Sequence, residues 1–447
     1  MESVLLYVLG ILVVVVGLAL SIGLHEVGHL LPAKLFGVRV GQYMIGFGPT
    51  LWSRRFGETE YGLKAIPMGG YISMAGMYPP AKDGTVSART ASTGFFQTLV
   101  QDARTASAET VVVGQEERVF YRLAVWKRIV IMLGGPVMNL LIGIVLYAVL
   151  LMGFGAQQVS TTIGSVSECV VSQTSESTDG GTECSAGDTE APGAAAGILP
   201  GDKLVSLDGT TITEWDQATA IIRDSAGDDL TIVVERDGET VTLTSVPLLT
   251  ERYVYDADGA IVEDSDGNSV TEEVGFLGIG PAYETVKQPI TAVLPAVGDN
   301  IGRVGHMILN LPERLVDVVN AAFGTEERDP NGPISVVGVG RLAGEISSLD
   351  TIPIVDKASG LIGLLASLNI ALFVFNLVPL MPLDGGHVAG ALWEGIRRFF
   401  AKLFGRKDPG PVDIAKLVPL TLVVVVLLGS MSALLIYADL VKPISIL

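Results

Sequence analysis

Apolar residues gather in four long, nearly unbroken runs, at about residues 4–31, 129–154, 361–383 and 417–437. Each run is long enough to cross the roughly 30 Å hydrocarbon core of a bilayer as a helix. Between the first two runs the pattern changes to V-R-V-G-Q-Y-M-I-G-F-G-P and then Y-G-L-K-A-I-P-M-G-G-Y-I-S-M, within residues 37–77. Alternation punctuated by Gly and Pro predicts short strands and tight turns there. Residues 80–115 are rich in Ala, Thr and Ser, show no period, and read as a flexible loop. Further on, residues 160–280 carry strand candidates at 203–207, 230–235 and 240–246, the last two joined by the hairpin signal Asp237-Gly238. Asp258-Gly259 and Asp266-Gly267 repeat that turn signal in an acidic stretch. They lack the twelve-residue loop and closing Glu of an EF-hand, so they read as turns and not as calcium sites. Residues 285–357 have the pattern of amphipathic helices, followed by a loop with the sequence G-P-I-S-V-V-G.

Composition agrees with a membrane protein that carries an exposed domain. Hydrophobic residues make up 49% of the 447, charged residues only 17%, yet the formal net charge is −19. Apolar bulk and acidic surface must therefore lie in different segments, which excludes an ordinary soluble enzyme. The first run is read as a retained helix and not a signal peptide, because its start carries Glu2 and no Lys or Arg. Residues 34–128 hold 12 Lys/Arg and residues 384–412 hold five, whereas residues 154–357 hold 10 Lys/Arg against 34 Asp/Glu. The basic flanks predict that those two segments are cytosolic, so the N-terminus and the acidic segment lie outside the cytoplasm of a multi-pass cell-membrane protein. An acidic surface of this kind excludes nucleic acid as a partner. Both cysteines, Cys169 and Cys184, fall in the external segment, where a disulfide between them is permitted and expected.

The chemistry is concentrated at the end of the first run, in H-E-V-G-H at residues 25–29. His25 and His29, four apart, share one helix face, so both imidazoles can reach one Zn²⁺, while Glu26 can take a proton from water. With 4 His in the chain, a chance match to H-E-x-x-H is on the order of a few in a thousand. Two His and a Glu in an apolar span are also costly without partners. Zinc hydrolases need a third protein ligand. His306 lies in the external segment, on the wrong side, whereas the third run ends N-L-V-P-L-M-P-L-D-G-G-H and places Asp384 at its cytosolic end. If both runs continue as helix, His25 and Asp384 lie roughly 31–35 Å along them, in one layer of the membrane. His387 is an alternative third ligand.

Taken together, H-E-V-G-H (25–29), G-G-P-V-M-N (134–139) and N-L-V-P-L-M-P-L-D-G-G (376–386) resemble the site-2 protease family of intramembrane zinc metalloproteases. Within it, the chain is similar to the bacterial regulator-of-sigma-E type with an extracytoplasmic PDZ domain. The resemblance covers nearly the whole chain apart from the 80–115 loop and a 170–190 insertion. It implies zinc bound by His25, His29 and Asp384, with Glu26 as general base. Asn376 then helps hold the substrate or the developing oxyanion, with helix packing as the competing reading; for Asn139, packing is preferred. Residues 37–77 look like the family's membrane-associated β-loop, with Gly69 and Gly70 placed for close approach of a substrate backbone or for plain turns. The segment A-P-G-A-A-A-G-I-L-P-G-D-K-L-V-S-L-D-G (191–209) resembles a PDZ core, and Phe276, Leu277, Gly278 and Ile279 its carboxylate-binding loop.

The expected fold is a polytopic α-helical membrane protein with four transmembrane helices, a membrane-associated β-loop and an extracytoplasmic PDZ-like α+β domain. The expected boundaries are 1–35 (first span with the zinc motif), 36–78 (β-loop), 79–128 (cytosolic loop), 129–155 (second span), 160–280 (PDZ-like), 281–357 (amphipathic), 358–386 (third span with the Asp ligand), 387–412 (cytosolic loop) and 413–440 (fourth span). The expected partners are the lipid bilayer and single-span membrane proteins such as an anti-sigma factor or a remnant signal peptide, cut after an earlier cleavage. A non-catalytic PDZ-bearing adaptor with a relic zinc site is the alternative, and intact Glu26 speaks against it. A transporter is disfavoured, because four spans show no inverted repeat.

Overall fold

The structure, a computed structural model, describes residues 2–80, 95–170, 184, 189–254, 262, 264, 269–325, 328–329 and 332–444. The two Asp-Gly turns at 258–259 and 266–267 and most of the 170–190 insertion fall outside these. In chain order the elements begin with α1 (Glu2–Leu35), β1 (Val40–Phe56), β2 (Thr59–Met74), α2 (Phe95–Glu109) and α3 (Val125–Ala148), which runs on through a π-helical turn at Val149–Phe154. Next come β3 (Ala156–Val166), α4 (Pro192–Ala195), β4 (Lys203–Leu207), β5 (Thr210–Thr211), α5 (Trp215–Asp224), β6 (Leu230–Arg236), β7 (Glu239–Ser245), β8 (Leu248–Tyr253), β9 (Thr271–Phe276) and β10 (Ile279–Val286). The chain closes with α6 (Val293–Leu309), α7 (Leu311–Phe323), α8 (Val336–Ser348), α9 (Ile354–Leu377), α10 (Asp384–Leu403) and α11 (Val418–Val441). Two compact units result: Met1–Phe154 with Gln288–Leu447, and Gly155–Lys287.

In the first unit, four helical segments are long and apolar enough to cross a membrane: Ser3–Leu35, Val125–Phe154, Ile354–Leu377 and Ile414–Val441. Three of the four apolar runs of the sequence fall wholly within them, and the third, 361–383, outlasts its helix by six residues. α1 ends in a Schellman motif: Gly37, at φ +81°, donates to Lys34, and Val38 donates to Ala33. Glycine takes this left-handed position without strain, so the chain turns at once into β1. Residues 42–45 of β1 then pair on both sides with β2, Met44 opposite both Tyr71 and Gly62, and Ile45 opposite both Gly70 and Leu63. The two long strands therefore fold back as four strand segments. Residues 70–74 and 50–56 form the outer edges, and Tyr43 Oη donates to the Gly23 carbonyl at 2.7 Å to fasten the sheet to α1.

The crossing of α1 and α3 is set by glycine. A Cβ on Gly28 would stand 2.6 Å from the Gly134 carbonyl carbon, and one on Gly134 would stand 2.8 Å from that of Gly28. Small residues let membrane helices approach backbone to backbone, where packing and not the hydrophobic effect holds them together. At the start of α3, Arg128 forms a buried ion pair with Glu394 of α10 at 2.5 Å. At the far end of α11, buried Arg328 pairs with Asp439, which also accepts from the Ser335 N–H at 2.7 Å.

Four boundaries differ from the sequence reading. The second unit runs from Gly155 to Lys287 where 160–280 was expected, because β3 and β10 pair along their length to Ala156 and Val286. The third span stops at Leu377, and Asp384 is not on it; Asp384 opens α10, which occupies most of the stretch expected to be the 387–412 loop. Pro379 and Pro382 explain the break, since proline lacks the donor a helix needs and forces its predecessor out of the helical region. Residues 80–115 contain a helix, α2, held by Arg104 to Asp413 and by Ser107 Oγ, which accepts from the Tyr78 N–H at 2.9 Å. Tertiary partners thus order a segment that lacks an internal signal.

The second unit is a β-sheet in the order β10-β3-β4-β6-β7, with β5 beside β4 and a separate β8–β9 pair. Its core includes Ile163, Leu204, Leu207, Leu230, Ile232 and Leu277. Asp237 and Gly238, both at positive φ, turn β6 into β7. Buried Asp202 receives Arg236 bidentately, at 2.6 and 2.7 Å, and this guanidinium holds its carboxyl below the usual range against the opposing pull of burial. Cys169 and Cys184 are joined by a disulfide.

Gly28→Val should lower the thermal unfolding midpoint of the detergent-purified protein, by the equivalent of about 1–3 kcal/mol or more for an overpacked site. Gly302→Val, where a Cβ meets nothing within 4 Å, should leave the midpoint in place. Equal midpoints for the two variants would contradict the glycine crossing.

Candidate metal centre and active site

His25, Glu26 and His29 stand in the last third of α1, held in helix by the apolar residues before them and by the glycine stop after them. Asp384 arrives from the other end of the chain, at the first residue of α10, after a turn containing the cis Met381–Pro382 bond. Glycine is required here as well. A Cβ on Gly385 would lie 2.6 Å from the Leu377 carbonyl carbon, and one on Gly386 2.7 Å from the Met381 nitrogen. The L-D-G-G pattern is thus what lets the chain fold back tightly enough to present Asp384.

Three ligand atoms meet. His25 Nε2 and His29 Nε2 are 3.2 Å apart, and each is 3.3 Å from Asp384 Oδ2. Among the described residues these three form the cluster of His, Cys, Asp and Glu suited to a metal ion. His387, one turn along α10, is not in that cluster. His306 sits on α6 with its ring against Asn310.

The donor set fits zinc. Zn–N and Zn–O bonds of about 2.0–2.1 Å in a tetrahedron set ligand atoms roughly 3.3 Å apart, which is the spacing observed. His29 Nδ1 donates to the Ile131 carbonyl at 2.8 Å, which leaves its Nε2 as a lone pair facing the other two atoms. Two imidazole nitrogens and a carboxylate oxygen packed this closely repel one another unless a cation or a proton lies between them. The Ile131 carbonyl lies on α3 one turn before Gly135. Gly135 allows the rings to lie against α3, since a Cβ there would be 2.6 Å from His29 Cε1 and 2.7 Å from His25 Cε1.

Glu26 is 8% exposed and faces the β-sheet, with its Cγ 3.0 Å from where a Cβ on Gly70 would stand. Gly70 lies on the outer edge segment of β2, so the free edge of the sheet reaches the carboxylate. Gly69, at φ +104°, makes the bend that brings it there. Asn376 is partly buried in the last turn of α9. Asn139 is fully buried on α3, one turn from Gly135, and neither atom of its amide has a partner among the described residues. Beside this layer, Asn369 of α9 donates to Ser21 Oγ of α1 at 3.0 Å. Phe276, Leu277, Gly278 and Ile279 lie in the second unit and, with Trp215 and Ile222 of α5, line a cavity of about 250 Å³.

Sequence reasoning did not single out the Ile131 carbonyl, the close approach at Gly135 and Gly28, or the Ser21–Asn369 bond. Ser21, four residues before His25, was a signal for the last.

Comparison with known proteins places this arrangement. The family model described as Peptidase family M50 matches residues 13–407. The zinc metalloprotease Rip1 of Mycobacterium tuberculosis is 34% identical over 446 residues, covering 98% of this chain and 99% of that protein. Rip1 of Mycolicibacterium smegmatis is 32% identical over 99% of this chain and 100% of its own length. The metalloprotease MmpA of Caulobacter vibrioides is 28% identical over 85% of each. With the match spanning most of the sequence and the relatives aligned from end to end, the chain belongs to peptidase family M50.

Proposed function

We propose that this zinc metalloprotease hydrolyses peptide bonds within or beside the transmembrane segment of single-span membrane proteins. In this reading it acts in regulated intramembrane proteolysis, after a first cut has removed the substrate's ectodomain. An anti-sigma factor or a remnant signal peptide is the type of substrate expected. The observation that carries this reading is the meeting of His25 Nε2, His29 Nε2 and Asp384 Oδ2 within 3.2–3.3 Å beside buried Glu26. A structural relic would have no need of Glu26.

His25, His29 and Asp384 hold the metal, and Glu26 is the general base. Zinc bound there supplies a Lewis acid that polarises the scissile carbonyl and makes water more acidic. Glu26 takes the proton from the attacking water and returns it to the leaving amine. The Ile131 carbonyl keeps the His29 ring in the tautomer and orientation that ligation requires. Asn376 orients the substrate or the developing oxyanion.

Substrate backbone must be unwound before it can be cut, because a helix hides its carbonyls in its own hydrogen bonds. The outer edge at residues 70–74 of β2 offers replacement partners to an extended strand. Gly70, lacking a side chain, lets this edge of β2 lie against Glu26, so that a strand added to the edge is held near it. The basic flanks support an active site near the cytosolic face, with the N-terminus and the Gly155–Lys287 unit extracytoplasmic. That unit acts as the PDZ-like domain, with Phe276–Ile279 as its carboxylate loop. It either captures a trimmed C-terminus or filters uncut substrates by size.

Glu26→Gln should reduce cleavage of a co-expressed single-span substrate by about a hundredfold to ten-thousandfold while zinc content stays near one per chain. Asp384→Asn should lose both cleavage and much of the zinc, because it removes an anionic ligand. An Asp384→Asn protein that keeps zinc and cuts normally would remove Asp384 from the site and make His387 the next candidate.

Excising residues 160–280 with the spans preserved should weaken discrimination against full-length substrate but leave cleavage of a pre-trimmed one. A folded, zinc-loaded excision variant that is inert on trimmed substrate would contradict this division of labour.

A further inference from the structure

α10 carries more than Asp384. Beyond its first turns, Trp393, Ile396, Phe399, Phe400, Leu403 and the following Phe404 are between 47% and 68% exposed. Leu392, Gly395, Ile396, Phe399 and Phe400 form, with Val125 of α3, an apolar groove of about 290 Å³. In water such a face would be an aggregation liability.

Its location says what covers it. The groove lies at Val125, where a candidate span begins, and α10 itself joins the candidate spans Ile354–Leu377 and Ile414–Val441. Exposed Trp126 and half-buried Lys127 follow Val125 in α3, the Lys127 ammonium over the Phe36 and Trp126 rings. Tryptophan with lysine at a span's end marks the level of the headgroups. α10 cannot tilt away from that level, because Glu394 is locked to Arg128 on α3 and its second oxygen accepts from the Val412 N–H at 2.9 Å.

Charge then selects the lipid. Arg398 is engaged by Glu394 and Asp408, whereas Arg397, Lys402, Arg406 and Lys407 form no ion pair among the described residues. Lys402 follows Phe399 by three positions and Gly395 by seven, so it stands above the groove on the same helix face. Arg397 stands on another face of α10, and Arg406 and Lys407 follow its end at Leu403. An apolar slot with Lys402 over it and further cations on the same short segment suits an acyl chain in the slot and a phosphate above.

We propose that α10 is an in-plane membrane helix that binds anionic phospholipid, with an acyl chain in the Val125–Phe399 groove and the headgroup met by Arg397, Lys402, Arg406 and Lys407. The inference rests on the reading of the four long helices as membrane spans, and not on catalysis. It gives the helix that begins at Asp384 a fixed depth, independent of which leaflet it occupies.

The test uses the full-length protein in nanodiscs of equal phosphatidylcholine and phosphatidylglycerol, with retained lipids counted by native mass spectrometry. Wild type should retain phosphatidylglycerol preferentially. Arg397→Gln, Lys402→Gln, Arg406→Gln and Lys407→Gln combined should abolish the preference, each cation contributing about fivefold. Retention of the two lipids in proportion to the mixture, or an unchanged preference in the quadruple variant, would overturn the proposal. A nitroxide at Phe399→Cys gives a second reading: it should be shielded from an aqueous relaxing agent and open to oxygen, and the reverse would also overturn it. Zinc content on the same samples reports the metal centre separately, so a failed lipid site is distinguishable from a failed active site.

Discussion

Two imidazole nitrogens and a carboxylate oxygen held 3.2–3.3 Å apart in an apolar bundle are the constraint around which this molecule is organised. Lone pairs at that spacing repel unless a cation or a proton lies between them. Much of the surrounding structure serves to keep the three atoms there. Gly28 and Gly134 let α1 and α3 touch backbone to backbone, Gly135 admits the two rings, and the Ile131 carbonyl fixes one of them. Gly385 and Gly386 allow the return turn that delivers the carboxylate. Membership of peptidase family M50 gives this geometry its chemical context.

The same closeness bears on how a transmembrane substrate is handled. On the proposed reading, a base set in a helix bundle is of little use unless substrate backbone can reach it in extended form. β2 brings its outer edge to Glu26 at Gly70, where the lack of a side chain lets the strand pack directly against Glu26 and Ile22 of α1. On the proposed reading, the sheet and the metal centre are one device: the edge strand opens the helix, and the adjacent carboxylate acts on what is opened.

What could be read from the sequence follows from how local each feature is. His25, Glu26 and His29 are legible because their relation is fixed by helix spacing over five residues. Asp384 was identifiable by its chemistry, but not its route: continuing the third helix through Pro379 and Pro382 placed it at the right level for the wrong reason. α9 in fact ends at Leu377, and a glycine turn carries the residue into the site. The Ile131 carbonyl and the α3 backbone at Gly135 were not legible, because backbone atoms leave no mark in composition. α2 and α10 do not read as helices in the sequence on its own, for a related reason. Their stability comes from Arg104–Asp413 and Arg128–Glu394, contacts between residues hundreds of positions apart.

The identity of the ligands can be measured on the unmodified protein by zinc K-edge X-ray absorption. A site of His25, His29 and Asp384 gives a nitrogen and oxygen shell at about 2.0–2.1 Å, outer scattering from two imidazoles, and no sulfur. Outer scattering from three imidazoles would transfer the third position from Asp384 to His387, and a sulfur shell would rule out the site as a whole.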